Sequence, residues 1–212
     1  MSHSRILVFG ATGPTGEQVV TQALSQGHDV TAFVRSPGTL PITHERLRLV
    51  VGDTTRDKSK IAEAVRGQDV VVSALGRRNT LRSDHLIARS MKAIVPAMDH
   101  AGVRRLILVS AFGVGESRRA APLIPRIMYC VLLRDIFADK SAAEDDLRRS
   151  DLDWTIVYPV LLTHGPLTGR YRAGEHLELN GIPKISRADV AHFILSEVRN
   201  RAFIRKVPVV SY

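Results

Sequence analysis

A doubly wound α/β fold, with a mostly parallel sheet and helices on both faces, is predicted by three observations in the 212-residue sequence. Short apolar runs alternate with segments of helical spacing along most of the chain, which is the pattern of successive βαβ units. A glycine triplet, Gly10, Gly13 and Gly16, joins the first apolar run to the first helical segment. Glycines at 27, 67 and 102 then stand where helices should stop. Neither a repeat nor a linker interrupts the pattern, so residues 1–212 are expected to form a single domain.

In order, Ile6 to Phe9 reads as a buried parallel strand. The helix after it places Val19, Val20, Ala23 and Leu24 on one face and ends at Gly27. Val30 to Val34 is the second strand, Arg35 to Gly38 a loop, and Leu47 to Val51 the third strand. A short helix near Asp57 to Arg66 precedes a fourth strand, Val70 to Ala74. Ile87, Met91, Ile94, Val95 and Met98 mark the clearest helix, before strand five at Leu106 to Val109. Residues 113–130 are broken by glycine and proline and form the least regular segment. A helix around Ala138 to Arg149 leads to strand six, Trp154 to Tyr158. Residues 163–181, rich in glycine and turn residues, are the expected substrate loop. Ser186 to Asp189 has the form of a capping box for a helix to about Val198, and Ile204 to Val210 is the expected last strand.

The chain carries 30 Lys and Arg against 21 Asp and Glu, a formal charge of +9. Such an excess attracts nucleotides and phosphorylated substrates. The arginines fall in scattered pairs without interleaved aromatics, which argues against nucleic acid as the partner. The lone Cys130 cannot form an intrachain disulfide, so a reducing compartment is the default. Apolar runs stay below the roughly 18 residues that span a bilayer. The N-terminus passes straight into a strand, leaving no room for a signal peptide. A soluble, cytoplasmic, monomeric protein is expected, with no membrane partner.

The glycine triplet carries the first chemistry. Gly10 can turn the chain out of the strand, Gly13 lets backbone approach a pyrophosphate, and Gly16 lets the helix lie close on the strand. Pro14 suits a first helical turn, and the helix start then offers N–H groups and a positive dipole end to phosphate oxygens. A Rossmann dinucleotide site follows. NAD sites place an acid about 20 residues past the glycines to grip the ribose 2′-hydroxyl. Here strand two ends in Arg35 and Ser36, and a guanidinium there suits a 2′-phosphate, so NADP(H) is the expected cofactor. Asp53 reads either as an acceptor for the adenine amino group or as a turn aspartate.

These residues resemble the atypical short-chain dehydrogenase/reductases of the NAD(P)-binding, NmrA-like kind, and within them the flavin reductase or biliverdin-IXβ reductase family. The matching pieces are Gly10-Ala-Thr-Gly-Pro-Thr-Gly16, Val30 to Arg35, Val51-Gly-Asp53, Gly67-Gln-Asp69, Leu75-Gly-Arg-Arg-Asn79, Ser110-Ala-Phe112, Pro166-Leu-Thr-Gly169 and Ile185 to Phe193. The resemblance implies that Thr12, Gly13, Pro14 and Thr15 hold the pyrophosphate, Arg35 the 2′-phosphate, and Asp53 with Thr54 the adenine. It also implies that Leu75, Gly76 and Arg78 line the ribose and nicotinamide path. Ser110, Ala111 and Phe112 would flank the reacting ring, and Pro159 and Val160 would wall its pocket. The histidine this family carries five positions before the proline of Pro-Leu-Thr-Gly is here Leu161, and the nearest imidazole is His164, which reads as an exposed loop residue. That departure bears on bilin specificity more than on the cofactor.

Short-chain dehydrogenases set a tyrosine four residues before a lysine, and before Lys140 that position is Ile136. Tyr129 and Tyr158 lack the spacing, although Tyr158 can approach in space. Ketone reduction without a proton donor builds a localised alkoxide, whereas a flavin or linear tetrapyrrole spreads the charge. The sequence therefore points to an NADPH-dependent reductase that passes hydride to a planar conjugated acceptor, a flavin such as FMN or riboflavin, or a bilin. Catalysis would rest on holding reacting atoms about 3–3.5 Å apart. Ser110 is either a contact to nicotinamide or substrate or a strand-end serine satisfying backbone. Lys140 is either a contact to ribose or acidic substrate or a helix-surface charge. Phe112 with residues 113–130 would shape the acceptor pocket, Arg77 and Arg78 either attract its propionates or phosphate or, for one of them, are simply exposed, and Cys130 reads as a buried thiol. The alternative is a non-catalytic NADP(H)-binding redox sensor, and an isomerase or epimerase on the same fold is disfavoured by the missing acid.

Overall fold

The computed structural model describes residues 3–76, 84–114, 134–179 and 181–212. Arg77, Arg78, Asn79, Tyr129, Cys130 and most of the irregular segment 113–130 lie outside the described residues. In chain order the elements are β1 (Arg5–Phe9), α1 (Pro14–Ser25), β2 (Asp29–Val34), β3 (Leu47–Val51), α2 (Lys58–Val65), β4 (Val70–Ser73), α3 (Leu86–Ala101) and β5 (Arg105–Val109). There follow α4 (Arg134–Arg148), β6 (Asp153–Pro159), β7 (Leu161–Thr163), β8 (Arg172–Gly174), β9 (Lys184–Ser186), α5 (Arg187–Asn200) and β10 (Val209–Ser211).

Eight strands form one sheet in the order β3-β2-β1-β4-β5-β6-β10-β8, parallel throughout except for β8. The central strands are apolar on both faces because both faces are covered: Ile6, Leu7, Val8 and Phe9 of β1 and Leu106 and Ile107 of β5 are completely buried. Each such side chain contributes ~1.5–3 kcal/mol on leaving water. Helices α1 and α5 pack together over one face, while α3 packs against α2 and α4 over the other. β1 sits between β2 and β4, with Ile6 level with both Val30 and Val70. The chain therefore winds outward from β1 in one direction, then returns to wind in the other. That reversal opens a crevice over the carboxyl ends of β1 and β4.

Gly27, Gly67 and Gly102 take φ of +82°, +73° and +68°, so each does stop its helix in the left-handed region. Helix α3 starts differently. His85 at its N-cap makes no capping bond of its own, and Asp139 of α4 does the work instead. Its carboxylate accepts from the Ile87 and Ala88 amides at 3.0 and 2.8 Å.

Two expectations need correction. The last strand covers only Val209–Ser211, not residues from Ile204. Arg205 turns at φ +54° with its amide on the Trp154 carbonyl, and Pro208 has no N–H to give a ladder. The segment 163–181 is not all loop, since Arg172–Gly174 returns as β8, antiparallel to β10. Leu161–Thr163 and Lys184–Ser186 pair in a separate two-stranded sheet.

Candidate active site

The mouth over β1 is built on glycines, with Thr12, Pro14 and Thr15 between them. A Cβ on Gly10 would lie 2.5 Å from the Ala74 carbonyl oxygen, and Gly10 holds φ +78°. A Cβ on Gly16 would lie 2.1 Å from the Gly10 oxygen, so only glycine lets α1 start this close to β1. The turn is closed by the Gly13 amide donating to the Gly10 carbonyl at 2.9 Å. Gly13 is the N-cap of α1 and supplies no side-chain cap, with Pro14 in the first turn. The first turn of α1 thus presents its amides at the positive end of the helix dipole. Backbone this bare, at the sheet's reversal point, fits the pyrophosphate of a dinucleotide.

Around this mouth the expected cofactor residues fall as follows. Arg35 and Ser36 follow β2 and are exposed. Asp53 accepts from the Thr55 amide and hydroxyl at 2.7 and 2.6 Å, the geometry of a turn aspartate. Those two bonds hold its carboxyl below the usual range, with smaller contributions from Arg56 and Arg35. Thr54 is buried, its hydroxyl accepting from Ser90 of α3 at 2.7 Å. Leu75 and Gly76 leave β4 beside Gly10, Leu75 half-buried and Gly76 exposed. Ala111 and Phe112 are half-buried past β5, and the Phe112 amide donates to Pro159 at 3.0 Å. Val160, just past β6, is buried. Leu161 is half exposed and His164 is exposed. Arg78 lies outside the described residues.

Ser110 makes a contact that sequence reasoning missed. Its hydroxyl donates to Glu144 Oε1 of α4 at 2.5 Å, and the Tyr158 hydroxyl donates to Oε2 of the same carboxyl at 2.6 Å. All three side chains are at least 96 % buried. Burial pushes the Glu144 carboxyl up, against the pull of the two hydroxyls, Arg148 and Lys140. Burial and the adjoining carboxyl likewise push the Tyr158 phenol up, so it stays protonated. Lys140, one turn back on α4, is part-buried rather than a solvated surface charge. Burial pulls its ammonium down to about 8, opposed by Glu144 and Asp139. A signal was present in the sequence: Glu144 adjoins Ala143 and lies three residues before Leu147 on the apolar stripe of its helix.

The loop at the far side of the cleft is also anchored by an acid. Asp189 of α5 is fully buried and accepts from the Thr168 and Gly169 amides at 2.9 and 2.8 Å. The Thr168 and Tyr212 hydroxyls donate to its other oxygen at 2.8 and 2.7 Å. Ser186 completes the capping box, its hydroxyl accepting from the Asp189 amide at 2.9 Å. At the opposite end of the sheet, a shallow depression is lined by Arg5, Asp29, Arg46, Arg48 and Gln68, at the amino ends of β1, β2 and β3. It lies away from the mouth. Among the described residues no helix is long and apolar enough to cross a membrane, and no group of His, Cys, Asp and Glu is placed to hold a metal.

The family described as NAD(P)H-binding matches residues 10–201. A photosystem II assembly factor, Ycf39, from Synechocystis is 28 % identical over 97 % of this chain and 62 % of its own length. The chain thus spans about three fifths of that relative. A solved protein from Burkholderia pseudomallei is 31 % identical, with TM-score 0.80 over 99 % of this chain and all of that one. ChuY, an anaerobilin reductase from Escherichia coli O157:H7, is 25 % identical, with TM-score 0.81 over 98 % of this chain and 96 % of its own.

Proposed function

From a chain that belongs to the NAD(P)H-binding family, we infer an NADP(H)-dependent reductase of a planar conjugated acceptor, a flavin or a linear tetrapyrrole. The observation that carries it is the glycine-built mouth over β1, with Arg35 and Ser36 exposed where strand two ends, in place of the acid that grips a ribose 2′-hydroxyl. The amides of the Gly13 turn and first turn of α1 bind the pyrophosphate, and Arg35 with Ser36 binds the 2′-phosphate. Leu75, Gly76, Pro159 and Val160 bound the space for the nicotinamide, which supplies a hydride there. Ser110, Ala111 and Phe112 lie between that space and the acceptor. Ile136, one turn before Lys140, leaves the site without the phenol that ketone reduction uses, and the Tyr158 phenol is held inward by Glu144. That favours an acceptor whose conjugated rings disperse charge, and the likeness to the E. coli anaerobilin reductase supports a tetrapyrrole.

A second reading is a redox sensor that binds NADP(H) without turnover. The inward commitment of both the Ser110 and Tyr158 hydroxyls favours it. Absorbance at the nicotinamide band, followed with NADPH and FMN, riboflavin or biliverdin, separates the two. Oxidation of NADPH supports the reductase, whereas tight binding with no oxidation by any acceptor supports the sensor. For the cofactor, Arg35→Glu should weaken NADPH by roughly tenfold or more, about 1.4 kcal/mol, and leave NADH within about twofold. Equal losses for both nucleotides, measured by calorimetry, would remove the 2′-phosphate assignment.

A further inference from the structure

Glu144 is a buried carboxyl whose two close donors are both hydroxyls, Ser110 at 2.5 Å and Tyr158 at 2.6 Å. An amide can only donate, but a hydroxyl can rotate and accept instead. The other groups acting on Glu144 are the Lys140 and Arg148 cations of its own helix, the latter 3.9 Å from Oε2. The phenol of Tyr158 keeps its proton and remains a donor. When Glu144 gains a proton either hydroxyl can turn to accept it, and Ser110, the first residue past β5, is the one placed at the carboxyl end of the sheet. Its oxygen then accepts from the acid, and its own O–H is released from Glu144 to another acceptor. Ser110 is held in place for this by its amide, which donates to the Val157 carbonyl at 2.9 Å.

We propose that Glu144 is the proton reserve of the site, acting through Ser110 as a positioning and supplying residue behind the acceptor. This rests on the reductase reading above. In the proton half of the reaction, the Ser110 O–H bond breaks and its proton goes to the heteroatom of the acceptor that hydride has left negative. The Glu144 O–H bond breaks as the Ser110 O–H bond re-forms, leaving a carboxylate that recovers a proton from solvent between turnovers. No electrons pass in this half, since the hydride carries both. Lys140 and Arg148 stabilise the carboxylate so formed.

Two measurements test this. Infrared spectra of the cofactor-free protein should show a protonated-carboxyl stretch that persists above the ordinary glutamate range and is lost in Glu144→Gln. In steady-state assays, Glu144→Gln should lower kcat by about 100-fold, with KM for NADPH and NADP⁺ affinity unchanged. It should also abolish the fall in kcat with rising pH and the solvent deuterium effect on kcat. Ser110→Ala should reproduce that loss. A carboxyl band that vanishes near pH 4.5 in the wild type would overturn the proposal. So would a Glu144→Gln enzyme that keeps the wild-type rate or the wild-type pH profile. A wild type that binds NADP⁺ but reduces no planar acceptor would overturn the relay and the reductase reading together, whereas an active wild type whose behaviour Glu144→Gln copies would overturn the relay alone.

Discussion

Asp189 and Glu144 are both carboxyls sealed inside the protein, at 0 and 2 % exposure, yet they are held in opposite ways. Burial drives both upward. At Asp189 two backbone amides and the Tyr212 and Thr168 hydroxyls outweigh it, and the carboxyl sits below its usual range. At Glu144 two hydroxyls and nearby cations do not, and the carboxyl sits above it. The donors decide the role. Amides fix a carboxylate permanently and fasten the loop at Pro166–Gly169 to α5, whereas hydroxyls leave a carboxyl able to take a proton and turn its partner round.

The contrast can be broken most forcefully at Asp189. Asp189→Ala should cost about 3 kcal/mol, because it removes the acceptor of the Thr168 and Gly169 amides and of the Thr168, Ser186 and Tyr212 hydroxyls, and its thermal midpoint should fall by several degrees. Exchange of the Thr168 and Gly169 amides should quicken in the same variant, and unchanged exchange would mean that the loop is held elsewhere. Glu144→Gln should change stability by less than about 1 kcal/mol, since the amide keeps the shape and one acceptor while removing a costly ionisation. Chemical denaturation of both proteins gives the comparison directly.

Acid sharpens the difference. Asp189 has a folded value below its unfolded 3.8, so its contribution is complete above that pH and is lost as pH falls through the lowered value. Glu144 has a folded value above its unfolded 4.5, so its contribution is present below 4.5 and is lost as pH rises through the raised value. Wild type should therefore gain stability relative to Glu144→Gln between neutral pH and about 4.5, and both should weaken further down as Asp189 is protonated. Denaturation midpoints measured across that range would show the two limbs.

Much of the mouth over β1 was legible in the sequence because its chemistry is a backbone requirement. Gly10 and Gly16 are fixed by where a Cβ would strike, and a spacing of glycines after an apolar run records that directly. The stop glycines and the Ser186–Asp189 capping box were legible for the same reason: local geometry, local signal. Ser110, Lys140 and Tyr158 were singled out, but the carboxyl that joins Ser110 to Tyr158 was not. Ser110 and Glu144 are 34 residues apart, and their contact depends on how α4 lies across β5 and β6. Thr54 shows the same limit, since its neighbour Asp53 faces a turn while its own hydroxyl faces Ser90. Short strands such as β8 were missed because their pairing is set by β10, not by their own residues.

The cap that Asp139 lends to α3 has a consequence for the order of assembly. The acid lies 52 and 51 residues beyond the amides of Ile87 and Ala88 that it receives. This cap on the first turn of α3 therefore closes only when α4 is docked, so it joins the two helices across the sequence. Whatever loosens α4 unravels the beginning of α3 with it, and the same plank that carries Lys140 and Glu144 is the latch on the helix before it.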